Sequence, residues 1–441
     1  MAPQPDKFES DVTLPKQASV VVIGGGIIGV SAALELAERG IDVVLCEKGI
    51  IAGEQSSRNW GWCRQMGRDP REIPLILESM KAWRGMNERI GAESGYRECG
   101  ILYLCHNDAD VAAKTHWLDN HARPYQLSSH MISGEKAAEM LPGGTVNWKG
   151  ALYTPNDGRA EPQKAAPAIA AAARANGAKI FTQCAVRGVE TSAGRISGVV
   201  TEKGTIACDA VVMAGGAWSR RFCGNAGVDL LQLWTIHSVL RTQPIDAGLE
   251  HSASGNRFGV RKRLDGGYTL AHNHYSVVDI EPDSFRQLRA FLPAFAAERK
   301  DLKLRIGQGF IDAARMARQW QLDEVSPFEQ VRVLDPEPVH WVLDDAVAGL
   351  KQDYPAFRNM VEAERWAGCI DVTPDAVPVI SEVEKMPGFF LSTGFSGHGF
   401  GLGPGAGKLT AELVVGATPC VDPTPFRYSR MIDGTKLELI T

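Results

Sequence analysis

The apolar pattern of the chain begins with an unbroken run, "SVVVI" at 19–23, followed by "GGGIIG" and then by "VSAALELAER", where apolar residues recur at helical spacing. A β-branched run without polar alternation predicts a strand buried on both faces, and 30–39 predicts a helix stopped by Gly40. A second apolar run over 42–46 completes a strand–helix–strand unit. Two later segments share this style. "GRAEPQKAAPAIAAAARANGAKIF" predicts a helix closed by Gly177 and then a strand, with Pro167 expected to kink the helix. "GFFLSTGFSGHGFGLGPGAGKLTAELVVG" predicts a strand, a long glycine loop and a helix over 404–415. Between them, "RISGVVTEKGTIACDAVVMAGGAWS" predicts a hairpin turning at Lys203-Gly204, a buried strand over 210–213 and a glycine-rich turn.

The three pieces, 19–65, 151–230 and 365–430, predict one discontinuous α/β nucleotide-binding domain. The stretches 66–150 and 231–364 carry more tryptophan, arginine and isolated polar residues, and predict a substrate-binding domain. Within the second, 281–330 reads as an added helical subdomain whose apolar faces suit a core, the default expectation, or a membrane surface. Residues 1–18 read as a flexible leader and 431–441 as a tail.

Composition narrows the partners. A chain of 441 residues with net charge −5 carries no basic block of the kind a nucleic-acid partner requires, so small metabolites are the expected ligands. Nine scattered cysteines without a Cys-x-x-Cys pair fit a reducing compartment and argue against a zinc cluster, so no metal is expected. The leader has prolines and acids where a signal peptide would be basic and then apolar, and no stretch offers a membrane-spanning apolar run. A cytoplasmic protein is expected, with peripheral contact at the inner membrane through 281–330 as the variant; monomer and homodimer both stay open.

Gly24, Gly26 and Gly29 form G-x-G-x-x-G between a predicted strand and a predicted helix. The first allows the tight turn, the second lets backbone approach a pyrophosphate, and the third lets helix and strand pack closely. Free N–H groups and the positive dipole end at the helix start then face the phosphates. Glu47, at the end of the second strand, is placed to accept from ribose hydroxyls and disfavours a 2′-phosphate. The motif by itself also fits a plain tight turn, and it does not separate FAD from NAD.

"GGGIIGVSAALELAERG", "YTPNDGRAEP", "WAGCIDVTPDAVPVI" and "GFSGHGFGLGPGAGKL" resemble, in order, the signature regions of the FAD-dependent D-amino acid oxidase superfamily, which includes glycine and sarcosine oxidases. "AGEQSSR", "KIFTQCAVRGVETSAGRISGVVTEKG" and "RQWQLDEVSPFEQVR" are similar to segments of the Proteus-type L-amino acid deaminases within it. The resemblance implies a Rossmann-like FAD-binding domain of the glutathione-reductase type, a mixed-sheet substrate domain and a helical insertion. It implies oxidation of an α-amino acid by hydride transfer to flavin N5, then hydrolysis to an α-keto acid and ammonia, with oxygen or a respiratory-chain carrier as acceptor. The expected FAD-binding set is Gly24, Gly26, Ile27, Ile28, Gly29, Glu47, Lys48, Gln55, Ser56, Ser57, Arg58, Val186, Ala214, Gly215, Gly216, Trp218, Gly397, Gly399, Phe400 and Gly401. The deaminase type has a membrane-anchoring helix for which this chain shows no equivalent.

The substrate carboxylate needs a bidentate cation, and arginine has that geometry. Glycine oxidase and the D-amino acid oxidases place a clamping arginine four residues before the proline of the third signature, where this chain has Ile370. The deaminase pattern instead points to Arg261 in "VRKRLDGGY", with Lys262 on the opposite face by strand alternation. Trp62 and Gln65 are further pocket candidates, each balanced against a core role. His237, on a predicted strand, and His398, in the glycine loop, complete the set; a structural histidine is the commoner outcome for the first. Cys369 lies five residues before Pro374, one short of the cysteine that binds flavin covalently in sarcosine oxidase, so noncovalent FAD is expected. Oxidation of secondary amines such as sarcosine, pipecolate or hydroxyproline, and a silent flavin-binding electron-transfer subunit, are the competing readings.

Overall fold

The computed structural model describes residues 3–440. Among them, a six-stranded sheet runs in the order Val379–Glu382, Phe389–Thr393, Ala210–Met213, Val20–Ile23, Val43–Cys46, Lys179–Phe181, with every pair parallel except the first. The unbroken apolar runs follow from burial on both faces. Val20 and Val22 enter one core while Val21 and Ile23 enter another, and Val43 and Leu45 part from Val44 and Cys46 in the same way. The first core is closed by the helices Ile27–Glu38, Pro162–Ala175 and Gly399–Val414, the second by a three-stranded antiparallel sheet, Val186–Ser192, Arg195–Thr201 and Gly204–Ala207.

A ten-stranded mixed sheet forms the other half, and the helix His340–Asp353 packs Leu343, Ala346 and Leu350 against its Leu240, Val260 and Leu270. Two expected boundaries shift. Gly150–Thr154 and Glu362–Val372, expected within or beside the nucleotide domain, both join this large sheet, the latter paired along Leu233–Thr242.

Residues 6–18 are not a loose leader. Asp6 N donates to Gln163 O at 2.9 Å, Asp11 N and Ile180 O pair at 2.9 Å, and Gln17 bridges Ala207. Gln163 is four residues before Pro167, whose missing N–H would leave that carbonyl without its helical partner. The leader supplies the missing donor, and the helix runs through Pro167 without stopping.

The helix expected over 404–415 instead starts at Gly399. Pro404 interrupts its ladder, and Ser79 fills the gap: its Oγ donates to Gly401 O at 2.7 Å and accepts from Gly405 N at 3.1 Å. Trp83 Nε1 also donates to Gly401 O, at 2.9 Å.

The core expectation for 281–330 holds only at its end. Helices Pro282–Arg286, Leu288–Glu298 and Gln308–Arg315 bury no residue, and Phe285, Leu288 and Ile306 stand exposed, because these short elements cover a sheet edge without a further layer above them. Trp320 and Phe328 are the buried anchors. No helix among the described residues is long and apolar enough to cross a membrane.

A methyl group at Gly407 would lie 2.4 Å from Ser31 Cβ and 2.7 Å from Ala32 N, in the helix crossing that closes the first core. Gly407→Ala is expected to lower stability by about 1–3 kcal/mol, read by urea unfolding.

Candidate active site

A cavity of about 1160 Å³ opens at the carboxyl ends of Val20–Ile23, Val43–Cys46 and Ala210–Met213 and extends under the large sheet. Its nucleotide end is built by close approach. A Cβ on Gly29 would sit 2.0 Å from Gly24 O, and one on Gly24, at φ +110°, would sit 2.5 Å from Ala214 O. Ser56 Oγ accepts from Ile27 N at 2.8 Å and so caps the helix behind this turn. Glu47 accepts from Gly25 N at 2.7 Å and Gly49 N at 2.6 Å. Burial raises its carboxyl, opposed by Lys48 and those two N–H groups.

Lys48 lies 4.5 Å over the Trp218 ring and bonds Glu54 Oε1 at 2.6 Å, while Trp218 Nε1 reaches the same carboxylate at 3.1 Å. Gly24, Gly26, Ile27, Ile28, Glu47, Lys48, Gln55, Ser56, Arg58, Val186, Ala214, Gly215, Gly216, Trp218, Gly397, Gly399 and Phe400 line the cavity. Gly29, Ser57 and Gly401 do not. Gly29 packs helix on turn, Ser57 Oγ is turned to Glu54 O at 3.3 Å, and the Gly401 carbonyl is held by Ser79 and Trp83.

The expected carboxylate clamp is placed elsewhere. Arg261 is buried outside the cavity wall, with Nη1 and Nη2 donating to the two Glu161 oxygens at 2.9 and 3.1 Å and Nε donating to Trp60 O. Its fork is already filled by a carboxylate of the chain, one that also accepts from Leu264 N at 2.9 Å. Lys262 does point the other way, to Glu250. Gln65 likewise turns inward: its N–H donates to Asp157 Oδ1 at 2.7 Å and its amide to Asn156 at 3.3 Å.

Trp62, His237 and His398 do line the cavity. Trp62 Nε1 is buried without a partner. His237 Nε2 meets Ser276 Oγ at 2.8 Å, and burial lowers the imidazole to about 4, so it is neutral at physiological pH. His398 Nδ1 lies 2.8 Å from Glu72 Oε2, and burial holds the ring below the ordinary imidazole range against the opposing pull of Glu72. A carboxylate at Nδ1 fixes the tautomer and leaves Nε2 as an acceptor. Burial works to raise Glu72, but His398, Arg68 and Arg64 outweigh it and hold it below the usual range. Cys369 packs with Ile236, Val277 and Val342 and does not line the cavity, whereas its neighbour Ile370 does.

Sequence reasoning passed over Arg64, Arg68, Glu72, Tyr103 and Lys114. Arg68 is 2% exposed, and its Nη1 has no hydrogen-bond partner; the Glu72 carboxylate is 4.0 Å away, with Oε1 also unpartnered. A methyl at Gly401 would lie 3.3 Å from Arg68 Nη2, so this guanidinium stands at the first turn of Gly399–Val414. Burial and the neighbouring Arg64 lower Arg68 to about 10. The one signal in the sequence was the three arginines of "CRQMGRDPRE", Arg64, Arg68 and Arg71.

Residues 19–413 match the model of a family described as FAD dependent oxidoreductase (DAO). The chain belongs to this family. It is thus a flavoprotein oxidoreductase with FAD as cofactor, and the glycine turn, the Glu47 acceptor and the glycine-flanked first turn at 397–401 fit that group. Solved structures similar to it include the L-amino acid deaminase from Proteus myxofaciens, 35% identical with TM-score 0.93 over 98% of each chain. The L-amino acid deaminase from Proteus vulgaris is 34% identical with TM-score 0.91, over 96% of this chain and 99% of that one. Among curated relatives, the 4-methylaminobutanoate oxidase (formaldehyde-forming) of Paenarthrobacter nicotinovorans is 26% identical over 95% of this chain. The flavoprotein spans 46% of that relative's length, and 42% and 40% of the next two.

Two outcomes follow from the placements. An unfolded chain protonates histidine near about 6.5, but folded His237 resists until about 4. Between these values the unfolded state binds more protons, so stability falls as the pH falls. His237→Gln should remove about 1–2 kcal/mol of the loss between pH 7 and pH 5, read by urea unfolding at both. Arg261→Met, which leaves buried Glu161 with only the Leu264 N–H at 2.9 Å and Arg263 at 3.9 Å, should destabilise by about 3–5 kcal/mol while substrate affinity of the folded holoenzyme stays within about twofold.

Proposed function

We propose that this flavoenzyme oxidatively deaminates L-amino acids to α-keto acids and ammonia. The observation that carries the reading is the pair of buried donors without partners in the cavity wall, Arg68 Nη1 and Trp62 Nε1. A buried donor left unpaired costs about 1–3 kcal/mol, and a charged one more, so a site that keeps two together is built for an acceptor that arrives with a ligand. An α-carboxylate is such an acceptor. The similarity to the two Proteus L-amino acid deaminases supports the substrate class and its configuration.

Bound FAD supplies a two-electron acceptor for the α-hydrogen. The chain supplies orientation and a dry wall. Arg68 and Trp62 fix the carboxylate and thereby the α-carbon, while Glu72 engages Nδ1 of His398, which also lines the cavity, and leaves its Nε2 as an acceptor. His237, neutral beside Ser276, adds no positive charge that would disfavour binding of a substrate amine. The imino acid hydrolyses to the α-keto acid and ammonia. Molecular oxygen or a respiratory-chain carrier is the electron sink of this proposal, and the exposed Phe285, Leu288 and Ile306 are its surface for peripheral membrane contact. The N-methyl amine reading draws on the likeness to relatives such as 4-methylaminobutanoate oxidase and sarcosine dehydrogenase.

Anaerobic mixing of the holoenzyme with L- and D-amino acids and N-methyl amines should bleach the flavin with the L-amino acids, releasing ammonia. Bleaching by D- but not L-amino acids, or by N-methyl amines alone, rejects the proposal. Arg68→Met should weaken kcat/KM by about 2–5 kcal/mol, and Arg68→Lys, which keeps the charge without the fork, should recover only part.

A further inference from the structure

The cavity wall holds more positive charge than one carboxylate needs. Arg58, Arg187, Arg220, Arg261 and Arg430, all buried or half-buried, each have a carboxylate within 3.0 Å. Three cations of the cavity wall do not. Arg64 and Lys114 have no carboxylate within 4.0 Å among the described residues, and that of Arg68 stands at the limit, 4.0 Å.

Arg64 and Lys114 both lie over the Tyr103 ring. The Arg64 guanidinium lies 5.9 Å and the Lys114 ammonium 5.1 Å from the Tyr103 ring centroid. Both are half-buried. The surrounding carboxylates are committed: Asp110 accepts from His106 N and Asn107 N, Asp69 is gripped by Arg71 at 2.6–2.8 Å, and Asp157 takes the N–H groups of Gln65 and Met66. Burial lowers Lys114 and Arg68, and Arg64 pushes both further down, against an opposing pull from Asp110 on Lys114 and from Glu72 and Asp157 on Arg68.

Three cations held together against their mutual repulsion form a site whose stabilising partner is absent from the chain itself. We propose that the cavity takes an amino acid bearing a second carboxylate, with Arg68 and the Trp62 N–H on the α-carboxylate and Arg64 with Lys114 on the side-chain acid across Tyr103. This rests on the amino-acid reading above and deepens it. It makes Arg64 and Lys114 specificity-determining residues, on the strand-to-helix connection after Trp62–Cys63 and on the helix Asp108–Trp117.

The test is a titration of the holoenzyme, followed by perturbation of the flavin absorbance, with the unreactive acids glutarate and butyrate, alongside anaerobic bleaching by L-glutamate, L-2-aminoadipate and L-leucine. Glutarate is expected to bind at least about tenfold more tightly than butyrate. Arg64→Met and Lys114→Met, checked for retained FAD, are each expected to shrink that ratio about fivefold or more. Equal affinities in the wild type, or an unchanged ratio in both variants, overturn the inference. Bleaching by L-leucine but not by the two acidic amino acids also overturns it and leaves the amino-acid reading standing. Bleaching by none of them overturns that reading itself, and the inference with it.

Discussion

Close approach of backbone to backbone on the helical face of the parallel sheet sets the geometry of the whole site. Gly29 lets the helix Ile27–Glu38 rest on the turn that precedes it, and Gly407 lets Gly399–Val414 cross the same helix without a side chain between them. The starts of both helices are thereby fixed at the rim of one cavity. A wider crossing would carry the 397–401 segment away from the 24–29 turn, and with it the common span on which a dinucleotide can lie.

The ionic groups divide by what closes them. Arg261 with Glu161, Arg430 with Asp375 and Arg58 with Asp335 tie segments far apart in sequence. Arg64, Arg68 and Lys114 tie no distant segments: Arg64 reaches Met66 O, Arg68 reaches Arg64 O at 3.2 Å and Glu72 at 4.0 Å, and Lys114 has no carboxylate within 4.0 Å among the described residues. A buried ion pair contributes little net stability compared with a well-packed apolar contact, but removing one partner costs several kcal/mol. The paired set therefore acts as a register device, and the unpaired set as a receptor. Tyr103 joins the two regimes by giving the free cations a polarisable surface without neutralising them.

The nucleotide half was legible because its signals are local. Strand, glycine turn, helix and Glu47 lie within a few dozen residues, and each element carries its own period or stop residue. The unbroken helix through Pro167 was not legible because the donor that rescues it lies in Asp6, far away in sequence. Arg261 was misplaced for the same reason: the hairpin and its strand alternation were correct, but alternation only says which face a side chain leaves by, and Glu161 waits on that face. Arg68 and Lys114 escaped notice because one sits in an irregular connection and the other on a polar helix, where a solvated charge is the ordinary outcome.

The contact of Asp6 with Gln163 also bears on how the chain is made. Residues 6–18 leave the ribosome before any of their partners, and their hydrogen bonds to Gln163, Ile180 and Ala207 can form only after those segments have been synthesised. Until then the strand Val20–Ile23 lacks its neighbours at Ala210–Met213 as well. The nucleotide domain is thus assembled from segments that arrive at widely separated times, and residues 6–18 can be fastened once residues 163–207 exist, while the strands Val379–Glu382 and Phe389–Thr393 of the same sheet are still to come.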